Sequence, residues 1–495
     1  LLRDELDFPS LSEIDTLRHF VRLSTLNHHI LKDFYPLGSC TMKYNPVVNE
    51  ALSRLPGFTS IHPLLPEEFV QGALMLMHEL GEMLKDIGGM DAITLQPAAG
   101  AHGELTGTLI MRAYFKAKNQ QRRYVIIPDS SHGTNPASIV MAGFEPIEIK
   151  SNKDGNIDIQ VLESALSDEV AGMMVTNPNT LGIFEREITK VAELVHSAGG
   201  LLYMDGANLN AIMGIVRPGE LGVDILHYNL HKTFSTPHGG GGPGGGAIAV
   251  KSHLAEFLPV PTVARTDDGR YSLNWNNPHS IGKILCFWGN FLVMVRAYAY
   301  IKSLGSDGVK QASEMAVLNS NYLLHLLKDK WELPYPSTPM HEFVLSGEFL
   351  KKYGVKTLDV AKRLLDMEFH APTIYFPLIV HEALMIEPTE TESKETLEDF
   401  ARAMNTILEE AKEKPDILKK SPMHTTTQAI KFPININSAS KDELVLLPHI
   451  GEVIAGRIIE YRKANGDFRR KEDIINVKGI GEKTYKTLEP LITVD

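Results

Sequence analysis

The sequence predicts an α/β architecture, a mostly parallel sheet covered by helices on both faces. Three observations carry the prediction. Between about residues 90 and 250, short apolar runs alternate with amphipathic stretches. Several of those runs are apolar at consecutive positions, as strands buried on both faces must be. The intervening stretches have helical spacing, and strand–helix alternation favours parallel pairing.

The elements follow in order. "YVIIP" (124–128), "PIEIK" (146–150), "AGMMVT" (171–176), "GLLYMD" (200–205), "DILHYN" (224–229) and "GAIAV" (246–250) are the predicted strands. "EREITKVAELVHSAGG" is a predicted helix whose closing glycine pair suits a C-cap. Residues 283–330 are rich in Leu, Ala and Tyr at helical spacing. The pattern then mixes: "MHEFVLS", a helix around "TLDVAKRLLD", the run "LIVHEALMIEP", and a helix over "SKETLEDFARAMNTILEEAKEK". The resulting division is an N-terminal arm and helical segment (1–90), a large domain (91–335), a smaller α+β domain (336–425), a linker (426–434) and a separate terminal unit (435–495). A Thr run between prolines marks the linker.

Composition bounds the function. The 495 residues imply roughly three units. Hydrophobic content of 43% and charged content of 22% suit a globular protein, and no apolar run approaches the ~18 residues that cross a bilayer. No basic-then-apolar leader is visible, so a cytoplasmic setting is expected. The first residue is Leu rather than Met, so a short stretch is expected to precede it. Cys40 and Cys286 are the only cysteines, without CxxC spacing, so neither a stapled fold nor a metal site is expected. Net charge is −12, unevenly spread. Residues 428–495 hold 11 Lys and Arg against 10 Asp and Glu, a net +1, leaving −13 for the rest.

In open parallel sheets, ligands bind where strand ends meet helix N-termini. Chemistry-bearing residues gather there. Asp205 ends "LLYMD", His231 and Lys232 follow "HYNL", and Ser131 and Thr134 follow "IIPD". "PAAGAHG" places Gly100, Ala101 and His102 at a turn into a helix. Each feature alone has an ordinary explanation: a turn aspartate, a solvated lysine, a partly buried histidine. Together they supply what pyridoxal phosphate uses. A lysine bonds the aldehyde, a carboxylate keeps the pyridine nitrogen protonated, a planar side chain stacks on the ring, and backbone N–H groups at a helix start cradle the phosphate. The glycine-rich stretch behind Lys232, "GGGGPGGG", lets backbone pass close to a bound group.

Six stretches in order, "PLGSCTMKYNP" (36–46), "LQPAAGAHGE" (95–104), "SHGTNPAS" (131–138), "TNPNTLGIFE", "YMDGANLNA" (203–211) and "LHKTFSTPHGGGGPG" (230–244), closely resemble the pyridoxal-phosphate P-protein of the glycine cleavage system. The resemblance covers residues 1 to about 425 and is to that protein's C-terminal half, the β subunit of the two-subunit bacterial form. It implies a type I, aminotransferase-like pyridoxal-phosphate fold, with Lys232 as Schiff-base lysine and Asp205 at the pyridine nitrogen. It implies His102 on one ring face, Ala207 on the other, and Ser131, Thr134 and His231 near the phosphate or ring hydroxyl. The implied activity is glycine decarboxylation with aminomethyl transfer to the lipoyl arm of the H-protein, and the implied partner is an α subunit in an α2β2 assembly. No GxGxxG turn follows a strand, so NAD is not expected. "PLGSCTMKYNP" reads as an ordinary loop held by Pro36, Gly38 and Pro46; the resemblance implies the alternative, a place near the site entrance where the Cys40 thiol would be open to oxidation. Other type I decarboxylases and aminotransferases are the rivals, together with a DNA-binding protein on a silent scaffold.

The terminal unit repeats itself: "LLPHIGEVIAGRI" and "NVKGIGEKTYKTL". It resembles the tandem helix-hairpin-helix domain of bacterial DNA-uptake proteins. That resemblance implies non-specific contact with DNA phosphates through Gly479 and Gly481, assisted by Lys478, Lys483, Lys486 and Arg457. In the first repeat His449 stands where glycine is usual. A small packing or protein-binding module is the alternative.

Overall fold

A computed structural model describes residues 11–238, 242, 244–423, 434–445 and 447–494. The linker expected over 426–434 lies outside the described residues except for Ile434. So do the first ten residues and, within the glycine run, residues 239–241 and 243. The described residues form two compact units: residues 28–421, and residues 11–27 together with 422–494. In the second unit, α1 (Glu13–Thr25) is capped by the Ser12 hydroxyl, which accepts from the Asp15 amide.

In the larger unit, α2 (Val47–Ser53), α3 (Pro56–Thr59) and α4 (Gln71–Gly88) precede the sheet. Next come β1 (Ala92–Thr94), α5 (Gly100–Ala117), β2 (Tyr124–Pro128), α6 (Asn135–Met141), β3 (Glu145–Ile149) and α7 (Ile159–Ala165). β4 (Val170–Thr176), α8 (Ile188–Ser197), β5 (Leu201–Gly206), β6 (Ile225–Tyr228) and β7 (Ile248–Val250) complete a seven-stranded sheet. Its order is β1-β7-β6-β5-β4-β2-β3. Strands β2 to β6 run parallel, but β7 is antiparallel to both its neighbours. The stretch between β6 and β7 holds no α-helix among its described residues, and without a crossover helix the chain returns in the opposite direction.

Every residue of β4 and β5 is buried. Ile126, Met173, Leu202, Met204 and Leu226 enter one core, while Val125, Ile127, Met174, Leu201 and Ile225 enter another. Successive side chains point to opposite faces, so helices on both sides use every residue of these strands. The sheet therefore holds its loop ends rigidly, which a reaction site requires.

β8 (Thr262–Arg265) and β9 (Tyr271–Asn274) form a hairpin before α9 (Phe291–Leu327), which is interrupted at Gly305, φ 65°. The smaller layer contains β10 (Phe343–Ser346), α10 (Thr357–Asp366), β11 (Thr373–Ile374), β12 (Ala383–Ile386), α11 (Lys394–Glu413) and α12 (Pro415–Lys420). Its antiparallel sheet has the order β10-β12-β11. Only Ala383–Ile386 of "LIVHEALMIEP" is strand, because a turn closed by Val380 N–H on the Pro377 carbonyl occupies its start.

The terminal unit contains β13 (Ile434–Asn435), α13 (Lys441–Val445), α14 (Glu452–Asn465), α15 (Glu482–Leu488) and β14 (Ile492–Thr493), with β13 and β14 pairing in parallel. It has its own core, including Ile436, Leu444, Ile458, Ile474 and Leu488. Gly451 and Gly481 stand at the N-caps of α14 and α15. Gly479 has φ 108°, and His449, its counterpart in the first repeat, has φ 65°. The first turn thus keeps the left-handed bend at a cost of about 1–3 kcal/mol that glycine would avoid. Gly479, Gly481, Lys478, Lys483 and Lys486 are exposed. Arg457 donates to the Lys478 carbonyl at 3.0 Å, so its guanidinium braces the second turn.

Candidate active site

Asp205 closes β5, fully buried. Its Oδ1 accepts the Ala207 N–H at 2.8 Å and lies 3.1 Å from His227 Nε2 on β6. Burial alone would raise its pKa, but His227, His132, Lys232 and the Ala207 N–H outweigh burial and hold the carboxyl below its usual range. His227, pushed down to about 4 by burial, is neutral at pH 7, and its Nδ1 lies 2.6 Å from the Tyr203 hydroxyl. An ionised carboxylate is therefore fixed at the strand end by neighbours on two strands.

Lys232 lies just past β6, 8% exposed, and its Nζ donates to the Ser39 carbonyl at 2.7 Å. Ser39 belongs to a strap, residues 36–46, that links both parts of the larger unit. Lys43, fully buried, donates to Asn210, Tyr300 and Glu390 at 2.7–2.9 Å. The Gly38 carbonyl accepts from Thr373, and the Thr41 hydroxyl donates to Glu387. Cys40 Sγ lies 3.7 Å from His238 Nε2, and burial pushes its thiol up, away from the reactive thiolate.

Gly100 opens α5, and its cap residue, Ala99, offers no side chain to the first N–H groups. His102 sits in the first turn, half-buried, with Nδ1 accepting the Ala98 N–H at 3.2 Å. Burial pushes its imidazole down, so it is neutral at pH 7. The glycines behind Lys232 serve close packing. A Cβ on Gly244 would strike the His231 ring, and one on Gly246 would strike the Ala99 carbonyl. His231 Nδ1 accepts the Gly245 N–H, so this histidine braces the glycine segment.

Ser131 and Thr134 lie between β2 and α6, both partly buried. The Thr134 hydroxyl donates to Glu104, and His132 Nδ1 lies 3.0 Å from it. Glu104 itself goes unmarked in the sequence reading despite ending "GAHGE". Burial and the neighbouring Asp205 push its carboxyl up to about 7. His227, Glu342 and Glu387 are likewise unforeseen.

The residues present fit pyridoxal phosphate. The Thr233 and Thr236 hydroxyls are buried without a hydrogen-bond partner among the described residues, and no side chain caps the start of α5, a donor set that suits an anion. A buried carboxylate, held below its usual range, stands at the end of β5.

Residues 3–273 match the family model for the glycine cleavage system P-protein, 312–429 that for the glycine dehydrogenase C-terminal domain, and 431–493 that for the helix-hairpin-helix motif. The chain is 60% identical over 432 residues to a probable glycine dehydrogenase (decarboxylating) subunit 2 of Caldanaerobacter subterraneus, covering 87% of this chain and 89% of that protein. It is 59% identical over 423 residues to the protein of that name in Pseudothermotoga lettingae, covering 85% and 88%. Among solved structures, an inhibitor-bound glycine decarboxylase of the glycine cleavage system aligns with TM-score 0.68 at 22% identity, covering 82% of this chain and 92% of that one. Lactobacillus brevis glutamate decarboxylase aligns at TM-score 0.65 and 12% identity, covering 83% and 96%. These two structural likenesses concern the fold.

Proposed function

This chain belongs to the glycine cleavage system P-protein family, and from that premise we propose that Lys232 and Asp205 are the centre of its pyridoxal-phosphate-dependent glycine decarboxylation. The protein is a glycine dehydrogenase (decarboxylating) subunit, and its family implies glycine as substrate and an α subunit as partner. The observation that carries the site assignment is that buried Asp205 and buried Lys232 stand at and just past the ends of adjacent strands, close enough for the lysine to hold the carboxyl down.

In this proposal Lys232 anchors the cofactor and Asp205 pairs with the pyridine nitrogen. His102 and Ala207 flank the ring. Gly100 and Ala101 N–H groups, with Ser131, Thr134 and His231, hold the phosphate or ring hydroxyl. When bound, the ring supplies the electron sink that lets glycine lose CO2. Lys232 yields its place to the glycine amine and then holds or returns a proton there. Asp205 keeps its charge with the Ala207 N–H donating to it and the His227 ring against it. In the transfer that follows, glycine Cα bonds to one lipoyl sulfur of the H-protein, the disulfide breaks, and the second sulfur takes a proton. We extend the proposal to an α2β2 assembly and a cytoplasmic setting. No helix among the described residues is long and apolar enough to cross a membrane.

The test is glycine-dependent exchange of labelled CO2. The isolated chain is expected to be nearly inactive, with exchange appearing when the α subunit and lipoylated H-protein are added. Full exchange by the chain alone would refute the need for partners, and keto-acid-dependent transamination would favour the aminotransferase rival.

The terminal unit is proposed to bind duplex DNA weakly and without sequence preference. Its support is the exposed Gly479–Gly481 turn at the start of α15 with Lys478, Lys483 and Lys486 around it. Binding is expected to weaken with salt at about 0.9 per phosphate contact in the log–log slope. Fragment 428–495 should bind better than the whole chain, which carries a further −13 of charge, and salt should narrow the difference. A gel shift at low salt decides: absence of a shift at high micromolar fragment leaves a packing or protein-binding module.

A further inference from the structure

A cluster of buried titratable groups in the smaller layer has no role in the decarboxylation proposed above. His341 and Glu342 precede β10, and Glu387 follows β12. All three are fully buried, with ligand-type atoms within 4.8 Å of one another. Glu342 accepts the Ser39 N–H at 2.6 Å and the Asn208 side-chain amide at 3.1 Å. Glu387 Oε1 accepts from the Thr41 hydroxyl at 2.5 Å, while its Oε2 has no hydrogen-bond partner among the described residues. Ser39 is the hinge of this arrangement. Its N–H faces Glu342, its carbonyl receives Lys232 Nζ, and it holds φ 59° without being glycine.

Two buried carboxyls this close repel each other when both are ionised. The titratable groups acting on the pair are Lys232 from the loop after β6, Cys40 from the strap, Glu390 beyond β12 and the adjacent His341. Burial and Lys232 push His341 down to about 3, so it is neutral, and Lys232 is the cation of the group.

We propose that Glu342 and Glu387 hold one proton between them and act as a positioning pair for Lys232, presenting a single negative charge and fixing Ser39 so that its carbonyl meets the lysine amine. Burial pushes Glu342 up to about 7 and Glu387 well above its usual range, in the same sense. The inference rests on the proposal that Lys232 anchors the cofactor.

The test follows the visible band of the cofactor-loaded full chain against pH, in wild type, Glu342→Gln, Glu387→Gln and the double variant. Each single variant is expected to keep the wild-type midpoint, because the remaining carboxyl ionises and preserves the charge. The double variant should lower the midpoint by about one unit, because the charged lysine link loses its neighbouring anion. Single variants each giving half of the double's shift would overturn the shared proton, and an unmoved double would overturn the charge. So would one divalent metal per purified wild-type chain that the double variant lacks, because the carboxyls would then serve a cation. Should the double variant fail to fold, infrared spectra of the wild type decide: a protonated-carboxyl band at neutral pH that Glu387→Gln removes supports the pair, and its absence overturns it. Lys232→Ala separates the premises, since a lysine-linked band surviving there sinks the anchor assignment itself.

Discussion

Lys232→Ala abolishes the lysine-linked visible band and lowers glycine decarboxylation on the order of 10³-fold or more, since lysine is both anchor and proton carrier. Borohydride should fix cofactor on the Lys232 peptide of the wild type and leave the variant unlabelled. The variant should still fold. Lys232 contributes one hydrogen bond to the strap, whereas Lys43 contributes three and Thr41, Gly38 and Asn45 hold it elsewhere. An unchanged band in Lys232→Ala would move the anchor to another residue.

Asp205→Asn tests the other half of the site. Asparagine keeps an oxygen for the Ala207 N–H and nearly the same volume, so the β5–β6 junction should survive. What it removes is one buried charge. Losing one preorganised charge that stabilises the transition state costs about 3–4 kcal/mol, so decarboxylation should fall on the order of 10²- to 10³-fold. Glycine binding should change less than turnover, because the lost interaction serves the electron sink. A variant whose turnover stays within twofold of wild type would remove Asp205 from the chemistry.

The legible parts of this protein are those in which residue type and position act locally. Parallel strands buried on both faces must be continuous apolar runs, and a polar residue at the end of such a run marks the sheet's ligand edge, so Asp205 and Lys232 stand out. An apolar run has no direction, however, and "GAIAV" looks the same whether it pairs parallel or antiparallel. Glu104 is visible within "GAHGE" but carries no mark of its burial beside Thr134. Glu342 and Glu387 are carboxylates inside apolar runs, which is an anomaly open to notice. Their partners Ser39 and Thr41 are 303 and 346 residues away, a separation no local pattern spans.

That separation has a consequence during synthesis. The strap precedes the sheet, and the side chains that hold it, Glu342, Glu387 and Glu390, emerge 303 to 347 residues after their partners. Contacts of such long range form late, once loop closure has been met by the rest of the fold. The sheet that carries Asp205 and Lys232 can assemble from residues before 251, but the surroundings of Lys232 stay unfinished until translation passes Glu390. A ribosome stalled before that residue displays the lysine without its setting, so the emergence of Glu390 also times the moment at which the site comes into being.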